Sequence, residues 1–333
     1  MNSVFILCNP LMDKILPVSH SRLSELGAVP GSMNLVDRDR IDQVLGGDSR
    51  SVSVPGGSGA NTARGLAWLA GSDAPMGRPV YLGAVGKDGE GRGFGELLRR
   101  AGVVCALVAK DGEPTGVSAV LVTPERERTM FTFLGASRLL EPRDLPRDLI
   151  RASRFLYLTG YNWDTENQRQ AAEEAGREAM SAGRRVCLDV ADPFVAERYR
   201  GSLLRWIPGV VDILFANRDE LAALTGGSSD GEILRLAAEL APLVVMKTGK
   251  EGCSIHPRGA ETLRAPGETV EARDSTAAGD SFAAGFLHGL LLGRDLRDCG
   301  RLANRVASRM VTVEGCNYDL LDRDEALRVL DQG

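Results

Sequence analysis

The chain alternates short continuous apolar runs with longer segments in which apolar residues recur at helical spacing. The continuous runs lie at residues 3–8, 79–85, 155–160, 186–190, 213–216 and 243–246. Runs of this length are typical of strands that are buried on both faces of a parallel sheet. Helical segments separate them, among others at residues 63–70, 94–101 and 165–182. This alternation predicts a doubly wound, mainly parallel α/β sheet with right-handed crossovers and helices on its faces.

Two segments depart from this alternation. Residues 14–54 mix short polar and apolar pieces with glycine and proline turns. Residues 117–123 and 129–134 are apolar runs on either side of a charged turn, which predicts a β-hairpin. We therefore expect a small β-rich lid formed by residues 14–54 and 112–134. The remaining residues, 1–13, 55–111 and 135–333, are expected to form one large α/β domain.

Composition and charge exclude several classes of protein. The chain has 333 residues, 43% of them apolar, and a net charge of −5 without any cluster of lysine and arginine. Nucleic acid and anionic membranes are therefore poor partners. Apolar runs are all shorter than a membrane span. The first apolar run has no basic segment before it, so we expect no signal peptide.

Cysteine and histidine usage points away from metal or disulfide chemistry. The six cysteines are scattered and form no Cys-x-x-Cys pair, and the three histidines have no metal-ligand spacing. Reduced thiols in a cytoplasmic protein are the expected state. A zinc site or a histidine-based triad is not expected.

The richest stretch for chemistry is Asp274-Ser275-Thr276-Ala277-Ala278-Gly279-Asp280. An apolar helical stripe follows it at once, so residues 276–279 lie where a helix begins. The free N–H groups of a first helical turn and the positive end of the helix dipole together favour an anion. Small side chains would let a phosphate reach this backbone. A carboxylate beside that phosphate, Asp280, is placed to accept the proton of an attacking hydroxyl, and the ordinary pKa of Asp, near 3.9, would keep it ionised.

Two further stretches carry polar residues where ligands bind in α/β folds. Asp13 follows the first predicted strand, in Asn9-Pro10-Leu11-Met12-Asp13, and a carboxylate there could accept two sugar hydroxyls. The second stretch, Gly56-Gly57-Ser58-Gly59-Ala60-Asn61, is rich in glycine and precedes a helix. It matches neither Gly-x-Gly-x-x-Gly nor Gly-x-x-x-x-Gly-Lys-Ser/Thr. The usual sequence support for a dinucleotide fold or a P-loop kinase is therefore absent.

Taken together, these strings resemble the ribokinase (PfkB) family of carbohydrate and nucleoside kinases. The string that ends in Asp280 resembles the C-terminal signature of the family, and Gly57-x-x-x-Asn61 resembles its N-terminal signature. Asn217-Arg218-Asp219-Glu220 resembles its Asn-x-x-Glu motif. The resemblance implies a ribokinase-like fold and phosphoryl transfer from ATP, with Asp280 as catalytic base and an anion hole formed by Ala277, Ala278 and Gly279.

The resemblance also implies roles for other residues at matching positions. It places the acceptor against Asn9, Asp13, Gly57, Ser58, Asn61 and Tyr161, of which Tyr161 would contact a base. It places ATP near Asn217, Thr248, Gly249 and Asn304, with Mg²⁺ held through water by Glu220. A monovalent cation such as K⁺ would lie at Asp274 and Thr276. Lys247 and Lys250 either assist the phosphates or are solvated.

The identity of the acceptor stays open at this point. Asn-Pro-Leu-Met-Asp and Asp192-Pro193-Phe194 resemble the adenosine kinase branch, whereas Ala277-Ala278-Gly279 is the anion hole of several sugar kinases. Three hypotheses follow: a kinase of adenosine or a related nucleoside, a sugar kinase, and a binding protein without catalysis on the same fold. The expected partner is a small-molecule nucleoside or sugar, and the expected assembly is a monomer or a homodimer.

Overall fold

A computed structural model of the protein describes residues 2–46 and 52–331. Residues 47–51, which belong to the predicted lid, lie outside this description. The strands are β1 (Asn2–Leu7), β2 (Leu11–Pro17), β3 (Met33–Leu35), β4 (Val52–Gly56), β5 (Val80–Leu82), β6 (Ala84–Gly86), β7 (Val104–Cys105), β8 (Val108–Lys110), β9 (Gly116–Val122), β10 (Arg128–Phe133), β11 (Ser153–Thr159), β12 (Arg185–Asp189), β13 (Ile213–Asn217), β14 (Leu243–Lys247), β15 (Gly252–Pro257) and β16 (Leu263–Pro266).

The helices form the outer layers of the molecule. They are α1 (His20–Glu25), α2 (Arg38–Leu45), α3 (Ser58–Ala70), α4 (Gly89–Arg100), α5 (Arg147–Arg151), α6 (Glu166–Ser181), α7 (Pro193–Trp206), α8 (Arg218–Thr225), α9 (Asp230–Leu240), α10 (Ala278–Leu291), α11 (Leu296–Met310) and α12 (Arg323–Leu327). Within the described residues, no helix is both long enough and apolar enough to cross a membrane.

The main sheet confirms the predicted doubly wound, mainly parallel α/β fold. Its strand order is β16-β15-β14-β13-β12-β11-β1-β5-β7. Neighbours from β14 to β7 are parallel, and the β15–β16 hairpin adds two antiparallel strands at one edge. Alternate residues of β1 enter opposite cores: Val4 and Ile6 join one, Phe5 and Leu7 the other. This two-sided burial explains why the sequence of the strand is a continuous apolar run.

The chain moves outwards in both directions from β1, which pairs with β5 on one side and with β11 on the other. In open α/β sheets, ligands bind beyond the carboxyl ends of the strands at such a switch point. The residues that follow β1 therefore face the expected ligand crevice. Asn9 and Pro10 lead from this point directly into the second sheet.

The second sheet has five strands in the order β3-β10-β9-β2-β4. It contains the predicted hairpin as β9 and β10 and has a small apolar core of its own around Leu23, Ile41 and Phe131. Strand β2 begins at Leu11, so Asp13 lies in this sheet, although the prediction grouped residues 1–13 with the large domain. Likewise β4 extends to Gly56. The function of this sheet as a lid stays a prediction.

Candidate active site

A cleft of about 940 Å³ lies between the carboxyl edge of the main sheet and the five-stranded sheet. Most of the predicted site residues meet there, although they are as far apart in the chain as residues 9 and 304. The predicted residues that line it are Asn9, Asp13, Gly57, Ser58, Asn61, Tyr161, Asn217, Glu220, Gly249, Thr276, Ala277, Ala278, Gly279, Asp280 and Asn304. Thr248 and Asp274 are the two predicted residues outside this lining.

The predicted anion hole lies at the first turn of α10. The residue before the helix, Ala277, has φ +58° and ψ 14°, a left-handed conformation that a residue with a Cβ rarely adopts. Among the described residues, no side chain caps the helix at Ala277. The Ala278 N–H donates to the Ser275 carbonyl at 3.2 Å. Within the described part of the chain, the next N–H groups of the first turn, those of Gly279 and Asp280, have no such acceptor, as an anion site requires.

Asp280 is held by two donors from the glycine-rich segment. The Ser58 hydroxyl donates to Oδ1 across 2.6 Å, and Asn61 Nδ2 donates to Oδ2 across 2.9 Å. Burial raises the pKa of Asp280 to about 6, although both hydrogen bonds favour its ionised form. The ordinary value near 3.9 expected from the sequence is therefore too low. At neutral pH the carboxylate is still mostly ionised and can accept a proton.

A second carboxylate, Asp13, faces the same part of the cleft from β2. Gly56 packs against it, and a Cβ on Gly56 would overlap the carboxylate. Gly57 has φ +88°, and a Cβ there would lie 2.6 Å from the Asn9 carbonyl oxygen. Both positions therefore require glycine. Burial, opposed by Arg128 and aided by the nearby Asp280, raises the pKa of Asp13 to about 7.

Three neighbouring parallel strands end in polar residues at the carboxyl edge. Asp189 ends β12, Asn217 ends β13 and Lys247 ends β14. The Lys247 ammonium donates to both Asp189 oxygens, at 2.9 and 3.0 Å, so it is paired rather than solvated. The sequence analysis missed Asp189. Asp189 is the last residue of an apolar strand. Other predicted site residues also lie at strand ends, and this position is the signal that could have identified Asp189.

Glu220 and Asn217 form a closed unit at the start of α8. The backbone N–H and the Nδ2 group of Asn217 each donate to Glu220 at 2.7 Å, and the Glu220 N–H donates back to Asn217 Oδ1. Burial raises the pKa of Glu220, although Lys247 opposes this shift. No cluster of three or more His, Cys, Asp or Glu ligands occurs in the described part of the chain. The role of Glu220 in holding Mg²⁺ through water stays a prediction.

Asp274 and Thr276, the predicted monovalent-cation residues, are in contact with an arginine of β10. Arg128 Nη1 lies 3.1 Å from Asp274 Oδ2 and also contacts the Thr276 hydroxyl. Asp274 in addition accepts the N–H groups of Thr276 and Gly315, at 2.9 and 2.8 Å. Its carboxylate thus has a full set of donors. The alkali-metal site stays a prediction, and Arg128 already supplies a positive charge at this place.

The residues predicted to contact ATP lie at the end of the cleft bounded by the β14–β15 loop and α11. Gly249 lines the cleft, whereas Thr248 does not. The Thr248 N–H donates to the Gly252 carbonyl at 2.9 Å. The Asn304 amide donates to the carbonyls of Ala265 and Pro266, at 2.9 and 3.0 Å. Both donors of the Asn304 amide are thus directed at backbone carbonyls, and only its oxygen stays available to a ligand.

The end of the cleft near Asp13 has an apolar wall that the sequence analysis did not identify. It is formed largely by strands of the five-stranded sheet and consists of Leu11, Met33, Leu35, Met130 and Leu134. Tyr161, which follows β11, lines the same cleft. The strands that build this wall pair across more than 90 residues of sequence. No local pattern could therefore have shown that these side chains share one surface.

A helix N-terminus with free N–H groups, a partly buried carboxylate in its first turn and a second carboxylate in the same cleft are the features expected of a kinase with the ribokinase-like fold. Comparisons with known proteins agree. The family model for pfkB family carbohydrate kinases matches residues 28–323. The chain belongs to the PfkB family, and it is a phosphotransferase that acts on a hydroxyl group of a nucleoside or sugar.

The proteins that this chain resembles include a nucleoside kinase, an adenosine kinase and a probable sugar kinase. The chain is 33% identical over 282 residues to a nucleoside kinase of Methanothermobacter thermautotrophicus, covering 84% of this chain and 85% of the relative. The crystal structure of adenosine kinase from Sinorhizobium meliloti superposes with a TM-score of 0.91 at 35% identity, covering 98% of both chains. A probable sugar kinase from Rhizobium etli gives the same TM-score at 31% identity, again over 98% of both chains.

Proposed function

We propose that this protein is an ATP-dependent nucleoside kinase that phosphorylates the primary hydroxyl of adenosine or a closely related nucleoside. The observation that carries this proposal is the apolar wall, which lines the same cleft as Tyr161, Asp13 and Asp280. A purine base needs an apolar surface of this kind, whereas a free sugar does not. The similarity to nucleoside and adenosine kinases supports the same acceptor.

In this proposal the ribose binds between the two sheets. The Asp13 carboxylate accepts hydrogen bonds from two ribose hydroxyls, and Asn9, Gly57 and Asn61 complete the pocket. Ser58 and Asn61 orient Asp280 toward the primary hydroxyl. The base lies between Tyr161 and the apolar wall. Closure of the five-stranded sheet over the acceptor would exclude water and so limit hydrolysis of ATP.

Phosphoryl transfer then proceeds at the start of α10. The oxygen of the primary hydroxyl forms a bond to the γ-phosphorus, its proton passes to Asp280, and the bond from the γ-phosphorus to the bridging oxygen breaks. ADP leaves with the electron pair of that bond. The Gly279 N–H stabilises the charge on the transferred group, and the Ala278 N–H adds to it by exchanging the Ser275 carbonyl for a phosphoryl oxygen. The small side chains of 277–279 allow this approach.

Two cations enter the proposal differently. Mg²⁺, when bound with ATP, neutralises phosphate charge; Glu220 and Asn217 would hold its water shell. Mg²⁺ prefers hard oxygen ligands and keeps most of its water shell, and the Glu220 carboxylate and the Asn217 amide both line the cleft. K⁺ is not needed if the Arg128 guanidinium serves Asp274 and Thr276 in its place.

A sugar kinase is the second candidate function. The anion hole Ala277-Ala278-Gly279 and the similarity to a probable sugar kinase favour it. The third hypothesis, a protein without catalysis, is disfavoured because Asp280 keeps both donors and faces the open anion hole.

An acceptor panel separates these functions. We expect ATP and Mg²⁺ to support rapid phosphorylation of adenosine and slow or undetectable phosphorylation of ribose and fructose. A Leu134→Ala variant should raise KM for adenosine and leave KM for a free sugar unchanged, because only the base contacts the wall. A preference for a free sugar would assign the protein to the sugar kinases. Absence of phosphorylation with every acceptor would favour the binding protein.

A further inference from the structure

The Lys247 ammonium is largely buried beside the anion hole, and none of the proposed steps of phosphoryl transfer uses it. Its side chain is 13% exposed, and that of its partner Asp189 is 3% exposed. A Cβ built on Gly279 would lie 3.4 Å from Lys247 Nζ. The ammonium therefore borders the first turn of α10, on the side of the cleft that also holds Gly279 and Asp280.

The hydrogen bonds of this ammonium leave one donor free for a ligand. An ammonium group has three N–H donors, and two of them serve the Asp189 oxygens at 2.9 and 3.0 Å. Lys247 lines the cleft, so the third donor can reach a ligand oxygen there. Burial alone would lower the pKa of Lys247, but Asp189 and Glu220 raise it, which keeps the group charged.

Asp189 is itself fixed in place by several groups. The whole residue is buried. Tyr157 donates its hydroxyl to Asp189 Oδ2 at 3.2 Å, and the Ala191 N–H donates to Oδ1 at 3.2 Å. A carboxylate held in this way fixes the ammonium at one point rather than leaving it on a mobile side chain. A pre-placed charge of this kind stabilises charge that develops during a reaction without reorganisation.

We propose that Lys247 is a further catalytic residue, which binds the γ-phosphoryl group of ATP through its third N–H, and that Asp189 is its positioning residue. This inference rests on the proposed phosphoryl transfer. As the acceptor oxygen bonds to the γ-phosphorus and its proton moves to Asp280, the bond to the bridging oxygen breaks and ADP leaves with the electron pair. Lys247 keeps all of its protons and holds an oxygen of the transferred group opposite the N–H groups of α10.

The variants Lys247→Met, Asp189→Asn and their double combination test this role. Lys247→Met alone leaves Asp189 buried without a counter-ion, which can prevent folding. The double variant removes both charges and restores a neutral interior, so its thermal unfolding should return toward that of the wild type. Lys87→Met is the matched control, because Lys87 forms a similar pair with Asp111, at 2.8 Å, on the exposed surface.

The decisive quantity is the preference for a γ-phosphate, measured by calorimetry as the Kd of ADP divided by the Kd of a non-hydrolysable ATP analogue, both with Mg²⁺. We expect this ratio to fall by about 10- to 100-fold in the double variant and to stay at the wild-type value in Lys87→Met. Turnover in the double variant should fall by about 10²- to 10³-fold. Asp189→Asn, which keeps the ammonium, should lose less of the preference.

Other results would overturn the inference and can be told apart. If Lys247 served only to neutralise Asp189, the double variant would regain both the wild-type preference and the wild-type turnover. A wild type that transfers phosphate but binds the analogue no better than ADP would also contradict the role of Lys247 while the proposed function stands. A wild type that binds neither nucleotide would refute the proposed function itself.

Discussion

The hydroxyl of Ser58 donates a hydrogen bond to the Asp280 carboxylate across 2.6 Å. This bond joins the first turns of α3 and α10, which lie more than 200 residues apart in the chain. Asn61 adds a second donor from the same turn of α3. The glycine-rich segment therefore has two functions in the proposed site: it admits the acceptor, and it tunes the base.

Removing the Ser58 hydroxyl should move the pH dependence of the reaction. The base must be ionised, so kcat/KM rises with pH through the Asp280 pKa, which is about 6 in the free protein. Ser58→Ala removes a bond that favours the ionised form. A hydrogen bond to a charged group contributes about 1.5–3 kcal/mol, so the acid limb should shift upward by about one to two pH units. Ser58→Thr, which keeps a hydroxyl, serves as the control. An unchanged acid limb in Ser58→Ala would show that this bond does not tune the base.

Asp280→Asn should make the protein more stable at neutral pH while it removes turnover. The folded pKa, about 6, lies above the ordinary value of 3.8, so the folded state binds more protons than the unfolded state between these values. The contribution of this group to stability is thus present below about pH 4 and lost as the pH rises through 6. A neutral amide avoids that loss, which amounts to about 1–3 kcal/mol.

Urea unfolding of the wild type and Asp280→Asn, at neutral pH and near pH 4, measures this difference. The difference in unfolding free energy between the two proteins should be large at neutral pH and should disappear near pH 4. The Asn61 amide can turn to match the new side chain, because its Oδ1 has no hydrogen-bond partner among the described residues. A variant less stable than the wild type at neutral pH would contradict the raised pKa.

Ala277→Gly should relieve the left-handed backbone before α10. A residue with a Cβ at this φ costs about 1–2 kcal/mol, and the added freedom of glycine in the unfolded chain offsets about 0.4–1 kcal/mol of the relief. The net change should be a stabilisation of up to about 1.6 kcal/mol, measured by urea unfolding. Ala278→Gly is the matched control, since Ala278 is already helical, and it should destabilise the protein. Equal effects of the two variants would show that position 277 is not strained.

Arg128 and Asp274 should prove energetically coupled across the two sheets. Both side chains are 15% exposed, and the pair joins β10 to the loop before α10. A double-mutant cycle with Arg128→Gln and Asp274→Asn should give a coupling of about 1–3 kcal/mol in unfolding. Turnover of the wild type should be similar in potassium and choline salts. Strong activation by K⁺, with negligible coupling in the cycle, would instead favour a cation site at Asp274 and Thr276.

The sequence was sufficient to predict the fold because its strands are buried on both faces and are therefore continuously apolar. Local features also led to Asp13, which follows a strand, and to Asp280, which lies at the start of a helix, and the family resemblance added Asn217. The start of α4 was predicted too late: the helix begins at Gly89, because Asp88 caps it and accepts from the Gly91 N–H at 2.8 Å. Glycine has a low helix propensity, and the Asp88 cap outweighs it here.

Pairs that form only in the folded protein could not be predicted. Asp189 and Lys247 are 58 residues apart and meet because their strands flank β13. Arg128 and Asp274 are 146 residues apart. From the sequence alone, Arg128 belongs to the charged turn of a predicted β-hairpin. A single sequence gives each residue type but not which distant charge faces it. The raised pKa values of Asp13 and Asp280 depend on the same long-range contacts.

The most direct test of the account is transfer of the γ-phosphate from ATP to adenosine by the wild type and by Asp280→Asn, followed by identification of the product. The account predicts that the wild type forms adenosine monophosphate phosphorylated at the primary hydroxyl. It also predicts that Asp280→Asn binds ATP and adenosine as before but reacts about 10²- to 10⁴-fold more slowly. Equal rates for the two proteins would contradict the assignment of Asp280 as the base.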